Sequence, residues 1–320
     1  LLRTKKLRLC VSRYNRQVIW RDLGICVKPT LRLCAEIIGL FCAHTQNDWM
    51  RIALNARHML VDRLEGLGIV TDEVMGRMAK SHPEDQFDYY FDRKYDQRFV
   101  HSTNVTPHTK HPVTRLPILI RYWLDHPVRK DVVKQKANVF FSPDGFIPLG
   151  MGIPKVSMVH DVAYLRYPEH LQPRIRSFYK KWMPRYLAYT DHIITVSEFS
   201  KREIIAGYNI PADKISVVYN GITNAYKPVS EEQKKLTRDR YTKGRPYFVY
   251  LGAIHPRKNI LTLIKAFEQF KSSHPCEHQL VLAGRASWHT EEVFKAIAVS
   301  KWKDAIHLPG YIATADATVL

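Results

Sequence analysis

The stretch Val249–Ile260, VYLGAIHPRKNI, decides the fold of the second half of the chain. An apolar strand runs into Gly252, and Arg257 and Lys258 follow just before a segment with helical periodicity. In an open parallel α/β sheet, ligands bind beyond the carboxyl ends of the strands, where helix amino termini point N–H groups at anions. A diphosphate here would meet a guanidinium, an ammonium group and a helix dipole. The alternative is a pair of solvated loop cations, which the strand, glycine and helix context disfavours.

The same alternation of apolar runs and helical segments extends in both directions from this stretch. Strands are predicted at Ile52–Leu54, Phe87–Phe91, Asn138–Ser142, Lys155–His160, His192–Ser197, Ile215–Tyr219, Tyr247–Gly252, Gln279–Gly284 and Ala305–Gly310. Such alternation predicts an α/β protein with doubly wound parallel sheets, covered by helices on both faces. The segment that begins at Tyr247 contains five strands and helices before the last residue, so we expect the domain that it forms to be incomplete.

Changes in composition divide the chain into four segments. Residues 1–49 hold nine Lys or Arg against three Asp or Glu and lack a sustained period, so we interpret them as an atypical extension, disordered or non-native. An accessory segment remains the alternative. Residues 223–246 are polar and charged, which is typical of an interdomain linker with at most one short helix. We therefore expect domains at residues 50–222 and 247–320.

The charge and the cysteines limit the classes of partner and site. The formal net charge of +19 favours anionic partners such as nucleic acid, phosphorylated metabolites or a membrane surface. Four of the five cysteines lie in the first 42 residues, without the CxxC spacing of a zinc site. No apolar run approaches the roughly 18 residues of a spanning helix. The cysteine-poor body favours a cytoplasmic protein.

Two further strand ends carry polar side chains. SMVHDV places His160 at the carboxyl end of a buried strand, where an imidazole can donate to a hydroxyl or phosphate; a structural histidine is equally compatible. TVSEFSKREI places Ser197 and Glu198 at the next strand end. There Ser200 and Glu203 fit a capping box, which explains part of that motif without a ligand.

The stretch LEGLGIVTDE places Gly66 and Gly68 between the first strand and a helix predicted over Asp72–Ala79. Thr71 stands where a dinucleotide-binding fingerprint requires its third glycine, so the signal for a Rossmann-type oxidoreductase is weak. We interpret the pair as a flexible loop whose backbone can approach a ligand closely.

One long segment has apolar residues at helical spacing and cations between them. The apolar positions are Ile175, Phe178, Tyr179, Trp182, Met183, Tyr186 and Leu187. The cations are Arg174, Arg176, Lys180, Lys181 and Arg185. This pattern predicts a helix that covers a sheet and leaves a basic outer surface.

Together these pieces resemble glycosyltransferase family 4, whose members adopt the two-domain GT-B architecture. The matching text, in order across residues 50–313, is RIALNAR, LEGLG, VHD, TVSEFSKREI, VVYNGI, YLGAIHPRKNI, LVLAG and LPGYI. The resemblance implies a retaining, metal-independent transfer of a mannose- or glucose-type hexose from a nucleotide-diphosphate sugar to a saccharide or lipid-linked acceptor. It places this chemistry in the cleft between the domains, in cell-surface polysaccharide synthesis.

The resemblance also assigns roles to residues. Arg257 and Lys258 would hold the donor diphosphate and stabilise the charge of the leaving group, while His160 would reach the transferred sugar. The expected donor-binding set is Gly66, Gly68, Ser197, Glu198, Gly252, Gly310 and Tyr311. No cofactor or metal is expected beside the nucleotide sugar.

One departure from the family concerns its acidic motif, two glutamates separated by seven residues soon after the GYI segment. The sequence ends at Leu320 without this pair. We therefore expect a C-terminally truncated and inactive fragment.

A basic module that binds nucleic acid or a membrane is the non-enzymatic alternative. The cations are spread along the chain, and six net charges lie in residues 1–49, so we do not expect nucleic acid as a partner. The basic surface of the first domain fits an acceptor at the inner face of the cytoplasmic membrane, with peripheral contact to anionic lipid.

Overall fold

The computed structural model describes residues 49–61, 64, 66–221, 226–287 and 290–320. The chain divides into two compact units between Gly221 and Ile222. The first unit contains a seven-stranded sheet and the second a three-stranded sheet, and all strand pairs in both are parallel. The predicted parallel α/β fold is therefore confirmed. The interpretation of residues 1–48 lies outside the described residues.

The sheet of the first unit has a reversal in its strand order. Its strands are β1 Arg51–Asn55, β2 Gln86–Phe91, β3 Val105–Thr109, β4 Val139–Ser142, β5 Lys155–Val159, β6 His192–Thr195 and β7 Ile215–Val217. They lie in the order β3-β2-β1-β4-β5-β6-β7. The order reverses between β1 and β4, which makes the carboxyl ends of these two strands the topological switch point where open α/β sheets bind ligands.

Helices cover both faces of this sheet. They are α1 Gly66–Ser81, α2 Pro117–Trp123, α3 Arg129–Lys134, α4 Pro173–Tyr189 and α5 Glu198–Tyr208. On one face, Met75 of α1 packs in a cluster with Phe87 and Phe141 of the strands. On the other, Trp182 and Tyr186 of α4 pack in a cluster with Phe140. Burial on both faces explains why β4, with the sequence VFFS, is apolar or small at every position rather than alternating.

Helix α4 confirms the predicted amphipathic segment. Its buried residues are Phe178, Trp182, Met183, Tyr186 and Leu187. Its cations Arg174, Arg176, Lys180, Lys181 and Arg185 are exposed. The side chain of Trp182 lies beneath two guanidinium groups, with the Cζ atom of Arg121 at 3.7 Å and that of Arg185 at 4.7 Å from its ring. The outer surface of α4 is therefore basic.

Several sequence predictions for the first unit were wrong in detail. Helix α1 begins at Gly66, so Gly66 and Gly68 lie in its first turn and not in a flexible loop. The N-cap of α5 is Ser197, whose Oγ accepts from the Ser200 N–H at 3.0 Å, so the predicted Ser200–Glu203 capping box is absent. Strand β3 was missed because it is short and interrupted by Pro107, which an edge strand tolerates.

The second unit repeats the α/β layering on a smaller sheet. Its elements are α6 Glu231–Thr242, β8 Tyr247–Leu251, α7 Ile260–Ser273, β9 Gln279–Ala283, α8 Glu291–Val299, β10 Ile306–Gly310 and α9 Thr314–Ala317. Its strand order is β10-β9-β8. Ile264 and Phe267 of α7 pack with Leu280 and Val293 in its core. The described residues leave β8 partly uncovered, with Phe248 and Leu251 each nearly half exposed.

The segment predicted as a linker, residues 223–246, contains the 12-residue helix α6. Ser230 caps this helix and forms a capping box with Gln233. Only Thr237 and Thr242 are buried, so the helix has almost no apolar face from which the sequence could predict it. Among the described residues of the whole chain, no helix combines the length and the apolar character needed to cross a bilayer.

Candidate functional site

Five polar side chains converge on the switch point of the first unit. Strand β1 ends at Asn55, with Arg57 and His58 just beyond, and β4 ends at Ser142, with Asp144 just beyond. The Oδ2 atom of Asp144 accepts from His58 Nε2 at 2.8 Å and from Arg57 Nε at 2.9 Å, and Arg57 Nη2 also contacts it. We call this group, Asn55, Arg57, His58, Ser142 and Asp144, the Asp144 cluster.

The other oxygen of Asp144 is equally well bonded. Its Oδ1 atom accepts from Ser142 Oγ at 2.8 Å and from Asn55 Nδ2 at 3.1 Å. It also accepts from the backbone N–H of Phe146 at 3.1 Å. Asp144 therefore joins the β1 and β4 loops through both of its oxygens.

The cluster fixes the protonation of its members. Burial alone would raise the pKa of Asp144, but the Arg57 charge and the hydrogen bonds from His58 and Ser142 outweigh it, so this pKa lies well below its ordinary value. Burial and the Arg57 charge lower the pKa of His58, which is therefore neutral at pH 7. A carboxylate only accepts, so the proton of His58 is on Nε2 and its Nδ1 atom carries a lone pair.

His160 directly follows β5, at the strand end where the sequence predicted it, and the structure brings it beside this cluster. Its Nε2 atom donates to the Pro143 carbonyl at 3.1 Å, next to Asp144 in the chain. Burial lowers the pKa of His160, so this imidazole is also neutral at pH 7. Its backbone carbonyl accepts from Ser200 Oγ at 3.0 Å, which ties the β5 end to helix α5.

The remaining predicted residues of the first unit have visible structural roles. Ser197 caps α5, and Glu198 is exposed in the first turn of that helix. Gly68 lies under the loop that carries His58, and a Cβ atom there would be 2.6 Å from the His58 carbonyl oxygen. A Cβ atom at Gly66 would meet no atom within 4 Å. Of the two glycines, Gly68 is the one that close packing requires.

The second unit presents a row of glycines at its strand ends. Gly252, Gly284 and Gly310 follow or end β8, β9 and β10, and all three have positive φ. The Gly252 N–H donates to the Ala283 carbonyl at 2.9 Å, and the Gly284 N–H donates to the Gly310 carbonyl at 2.8 Å. A Cβ atom at Gly284 would lie 1.8 Å from the Gly252 oxygen, so only glycine fits there.

Arg257 and Lys258 lie in a 3-10 turn, Pro256–Lys258, after the β8 glycine. Both side chains are exposed. The Nδ1 atom of His255 accepts from the Arg257 N–H at 3.1 Å and caps the turn. Asn259 adopts a left-handed conformation, and α7 begins at Ile260. The predicted order of strand, glycine, cations and helix is therefore confirmed.

Among the described residues, the side chains that could together hold a metal ion are those of His82, Glu84 and Asp85. They precede β2, so they lie at the amino-terminal edge of the sheet, away from the strand ends described above.

The sequence model of Glycosyltransferase Family 4 matches residues 61–226, half of the chain. The chain belongs to glycosyltransferase family 4.

Among curated relatives, this family 4 chain is 28% identical over 211 residues to O-antigen chain mannosyltransferase B of Escherichia coli, an alignment that covers 64% of this chain and 55% of the relative. It is 25% identical over 130 residues to O-antigen chain mannosyltransferase RfbU of Salmonella typhimurium, covering 41% and 32%. The chain thus spans about half of the first relative's length and a third of the second's.

Solved structures show the same GT-B fold. HepE of Anabaena, solved with UDP and glucose, has a TM-score of 0.57 at 18% identity, covering 84% of this chain and 71% of HepE. WaaG, a glycosyltransferase involved in lipopolysaccharide biosynthesis, has a TM-score of 0.59 at 11% identity, covering 84% and 72%. The predicted GT-B architecture is confirmed.

Sequence reasoning missed two parts of the site of this family 4 protein. Gly284, the last residue of LVLAG, was not predicted as a site residue, although it follows an apolar strand just as Gly252 does. The Asp144 cluster gave no local signal, because its two loops are 87 residues apart and only the pairing of β1 with β4 brings them together.

Proposed function

We propose that this family 4 protein transfers a hexose of the mannose or glucose type, with retention, from a nucleotide-diphosphate sugar to a saccharide or lipid-linked acceptor. The observation that carries the proposal is the glycine row of the second unit beside Arg257 and Lys258. A glycine backbone lets a ligand approach closely, and the two cations match a diphosphate. The names of the relatives, which are O-antigen chain mannosyltransferases, support a mannose-type sugar and a role in cell-surface polysaccharide synthesis.

The proposed chemistry depends on charge at the leaving group. When the glycosidic bond of the donor breaks, negative charge develops on the nucleotide diphosphate. The Arg257 guanidinium can donate two parallel hydrogen bonds to a phosphate, and Lys258 adds a compact positive charge. Positive groups fixed where charge develops lower the barrier, so we propose that no metal ion is required.

The other predicted roles remain proposals. Neutral His160 would contact the transferred sugar, and the backbone at Gly310 with exposed Tyr311 would face the base. Gly66, Gly68, Ser197 and Glu198 would complete the donor site. The finding that Ser197 and Gly68 already have structural roles makes them the weakest members of this set.

A ligand panel tests the proposed function. Calorimetry of the purified 320-residue chain would compare UDP-glucose, GDP-mannose, NAD and a single-stranded oligonucleotide, in EDTA and in magnesium. We expect one nucleotide sugar to bind equally well under both conditions and NAD not to bind. Binding of NAD alone, or of the oligonucleotide alone, would replace the proposal with an oxidoreductase or a nucleic-acid module.

We also propose that the protein acts at the inner face of the cytoplasmic membrane through peripheral contact with anionic lipid. The exposed cations of α4 support this proposal, since each basic group near an anionic surface adds about 1 kcal/mol of attraction. A lipid-linked acceptor would then be presented to the first unit.

A further inference from the structure

We propose that His58, positioned by Asp144, forms the subsite of the first unit that binds a hydroxyl group of a saccharide acceptor. In this subsite the Nδ1 atom of His58 accepts a hydrogen bond from an acceptor hydroxyl. The proposal rests on the function proposed above and adds the residues that select the second substrate.

The position of the Asp144 cluster favours a ligand site. The Asp144 cluster lies beyond the carboxyl ends of β1 and β4, where the strand order of the sheet reverses. The loops of the two strands diverge at such a point and leave a crevice, which is where open α/β sheets bind their ligands. His160, at the end of the adjacent β5, lies next to the cluster through its hydrogen bond to the Pro143 carbonyl.

The charge of the Asp144 cluster favours a neutral ligand over a phosphate. Within the cluster, the Arg57 cation and the Asp144 anion pair with each other, and their side chains are only 9% and 4% exposed. His58 carries no charge at pH 7, so the cluster has no net positive charge with which to hold an anion. The second unit differs, because Arg257 and Lys258 are exposed cations in one turn. The chain thus offers an anion site at one sheet and a hydroxyl site at the other.

The imidazole of His58 has a fixed direction. Its Nε2–H bond is held by Asp144 at 2.8 Å, and the side chain of His58 is 26% exposed, more than that of Arg57 or Asp144. Nδ1 is an acceptor in the resulting tautomer, and sugar hydroxyls are donors. Asp144 itself is too buried to touch an acceptor, so it is a positioning residue.

The test uses nuclear magnetic resonance of the 320-residue chain with ¹⁵N-labelled histidine. Long-range ¹H–¹⁵N spectra report the tautomer of each imidazole, and methyl glycosides of mannose, glucose and galactose serve as acceptor probes. We expect His58 to carry its proton on Nε2, and at least one glycoside to shift its Nδ1 resonance. The resonance of His126, an exposed side chain outside the cluster, is the internal control and should not move.

Two substitutions at one position separate recognition from packing. His58→Gln retains an N–H donor for Asp144 and an oxygen acceptor, whereas His58→Phe retains only the ring. We expect His58→Phe to weaken glycoside binding about threefold to tenfold, the effect of one lost hydrogen bond, and His58→Gln to restore most of it. Asp144→Asn should allow both tautomers of His58 and weaken binding similarly, with nucleotide-sugar binding unchanged in all three variants.

The outcomes distinguish this inference from the proposed function. A His58 resonance that no glycoside moves, or equal glycoside affinity of His58→Phe and the unmodified chain, overturns the acceptor subsite while donor binding stands. Absence of nucleotide-sugar binding in the unmodified chain refutes the proposed function instead. If the Asp144→Asn variant does not fold, the two His58 variants still test the acceptor subsite.

Discussion

Asp144 is the single residue on which the strand-end geometry of the first unit depends. Its carboxylate receives hydrogen bonds from two loops and forms an ion pair with buried Arg57. Removing one member of a buried pair leaves the other as an uncompensated charge, which is far costlier than losing an exposed ion pair. Stability should therefore respond to this residue more than to any exposed acidic residue of the chain.

We expect Asp144→Asn to lower the free energy of unfolding at pH 7 by about 3–5 kcal/mol, because the Arg57 charge stays buried without its partner. Urea unfolding, monitored by fluorescence, measures the change. Asp213→Asn, at an exposed position of the same unit, is the matched control and should alter stability by less than about 0.5 kcal/mol. Equal effects of the two substitutions would contradict the central place of Asp144.

The same residue predicts a dependence of stability on pH. The pKa of Asp144 is lower in the folded than in the unfolded chain, so its contribution is complete above the unfolded value of about 3.9 and is lost as pH falls below it. The difference in unfolding free energy between the unmodified chain and Asp144→Asn should thus shrink as pH falls below about 4. A difference that grows below about pH 4 would show that the carboxylate is not ionised in the folded state.

The candidate site residues that the sequence predicted are those with a local signal. His160 directly follows β5, and Arg257 and Lys258 lie in the short connection between β8 and α7, so the position of each is set by a few neighbouring residues. The Asp144 cluster has no such signal, since its geometry comes from long-range strand pairing. Nor does the sequence distinguish Gly66 from Gly68, because the difference lies in the distance to the His58 carbonyl.

Among the elements, helix α1 is placed by its second glycine. Gly68 lets the first turn of the helix approach the His58 loop, and Leu64 also lies within 3.0 Å of where a Cβ atom would be. A methyl group added at Gly68 would meet the His58 carbonyl, which belongs to the backbone and cannot rotate away as a flexible side chain can. The helix would therefore have to move away from the His58 loop. The packing of α1 thus bears directly on the loop that holds the Asp144 cluster.

We expect Gly68→Ala to lower the free energy of unfolding by about 1–3 kcal/mol, the usual cost of overpacking. Gly66→Ala, two residues earlier in the same turn, should leave stability unchanged or raise it by up to about 1 kcal/mol, since a helical position gains when glycine is replaced. Thermal and urea unfolding of the pair measure both. A larger loss at Gly66 than at Gly68 would show that α1 does not pack as described.

Helix α5 allows a test of whether Ser197 does more than cap. Ser197→Ala should cost about 1 kcal/mol through loss of the cap, and Ser197→Asp should retain stability because aspartate caps equally well. If Ser197 only caps, nucleotide-sugar affinity measured by calorimetry should be the same in both variants. Loss of affinity in Ser197→Asp without loss of stability would place this hydroxyl in the donor site.

Over the whole molecule, the order of elements was predictable and their exact ends were not. Buried parallel strands such as β4 and β9 are nearly continuous apolar runs, which the sequence reveals directly. Strand β3 at the sheet edge and the polar helix α6 lack that pattern, because neither buries a broad apolar face. The division between Gly221 and Ile222 assigns α6 to the second unit.

The charge of the whole molecule leads to a prediction about membranes. We expect the chain to float with vesicles that contain phosphatidylglycerol and not with neutral vesicles, and to lose this binding at high salt. Reversing Arg174, Lys180 and Lys181 to glutamate should abolish flotation, whereas reversing the exposed Lys265, Lys295 and Lys301 of the second unit should weaken it far less. Equal losses of flotation in the two triple variants would show that net charge alone drives membrane binding and would contradict a specific role of the α4 surface.

The measurement that tests the account most directly is the affinity of the chain for its best nucleotide sugar before and after Arg257→Ala with Lys258→Ala. We expect the double variant to lose at least about tenfold in affinity, since hydrogen bonds to charged groups contribute about 1.5–3 kcal/mol each. Lys265→Ala with Lys295→Ala removes the same charge elsewhere in the second unit and should bind as the unmodified chain does. Equal affinity of all three proteins would contradict a donor diphosphate at the strand ends of the second unit.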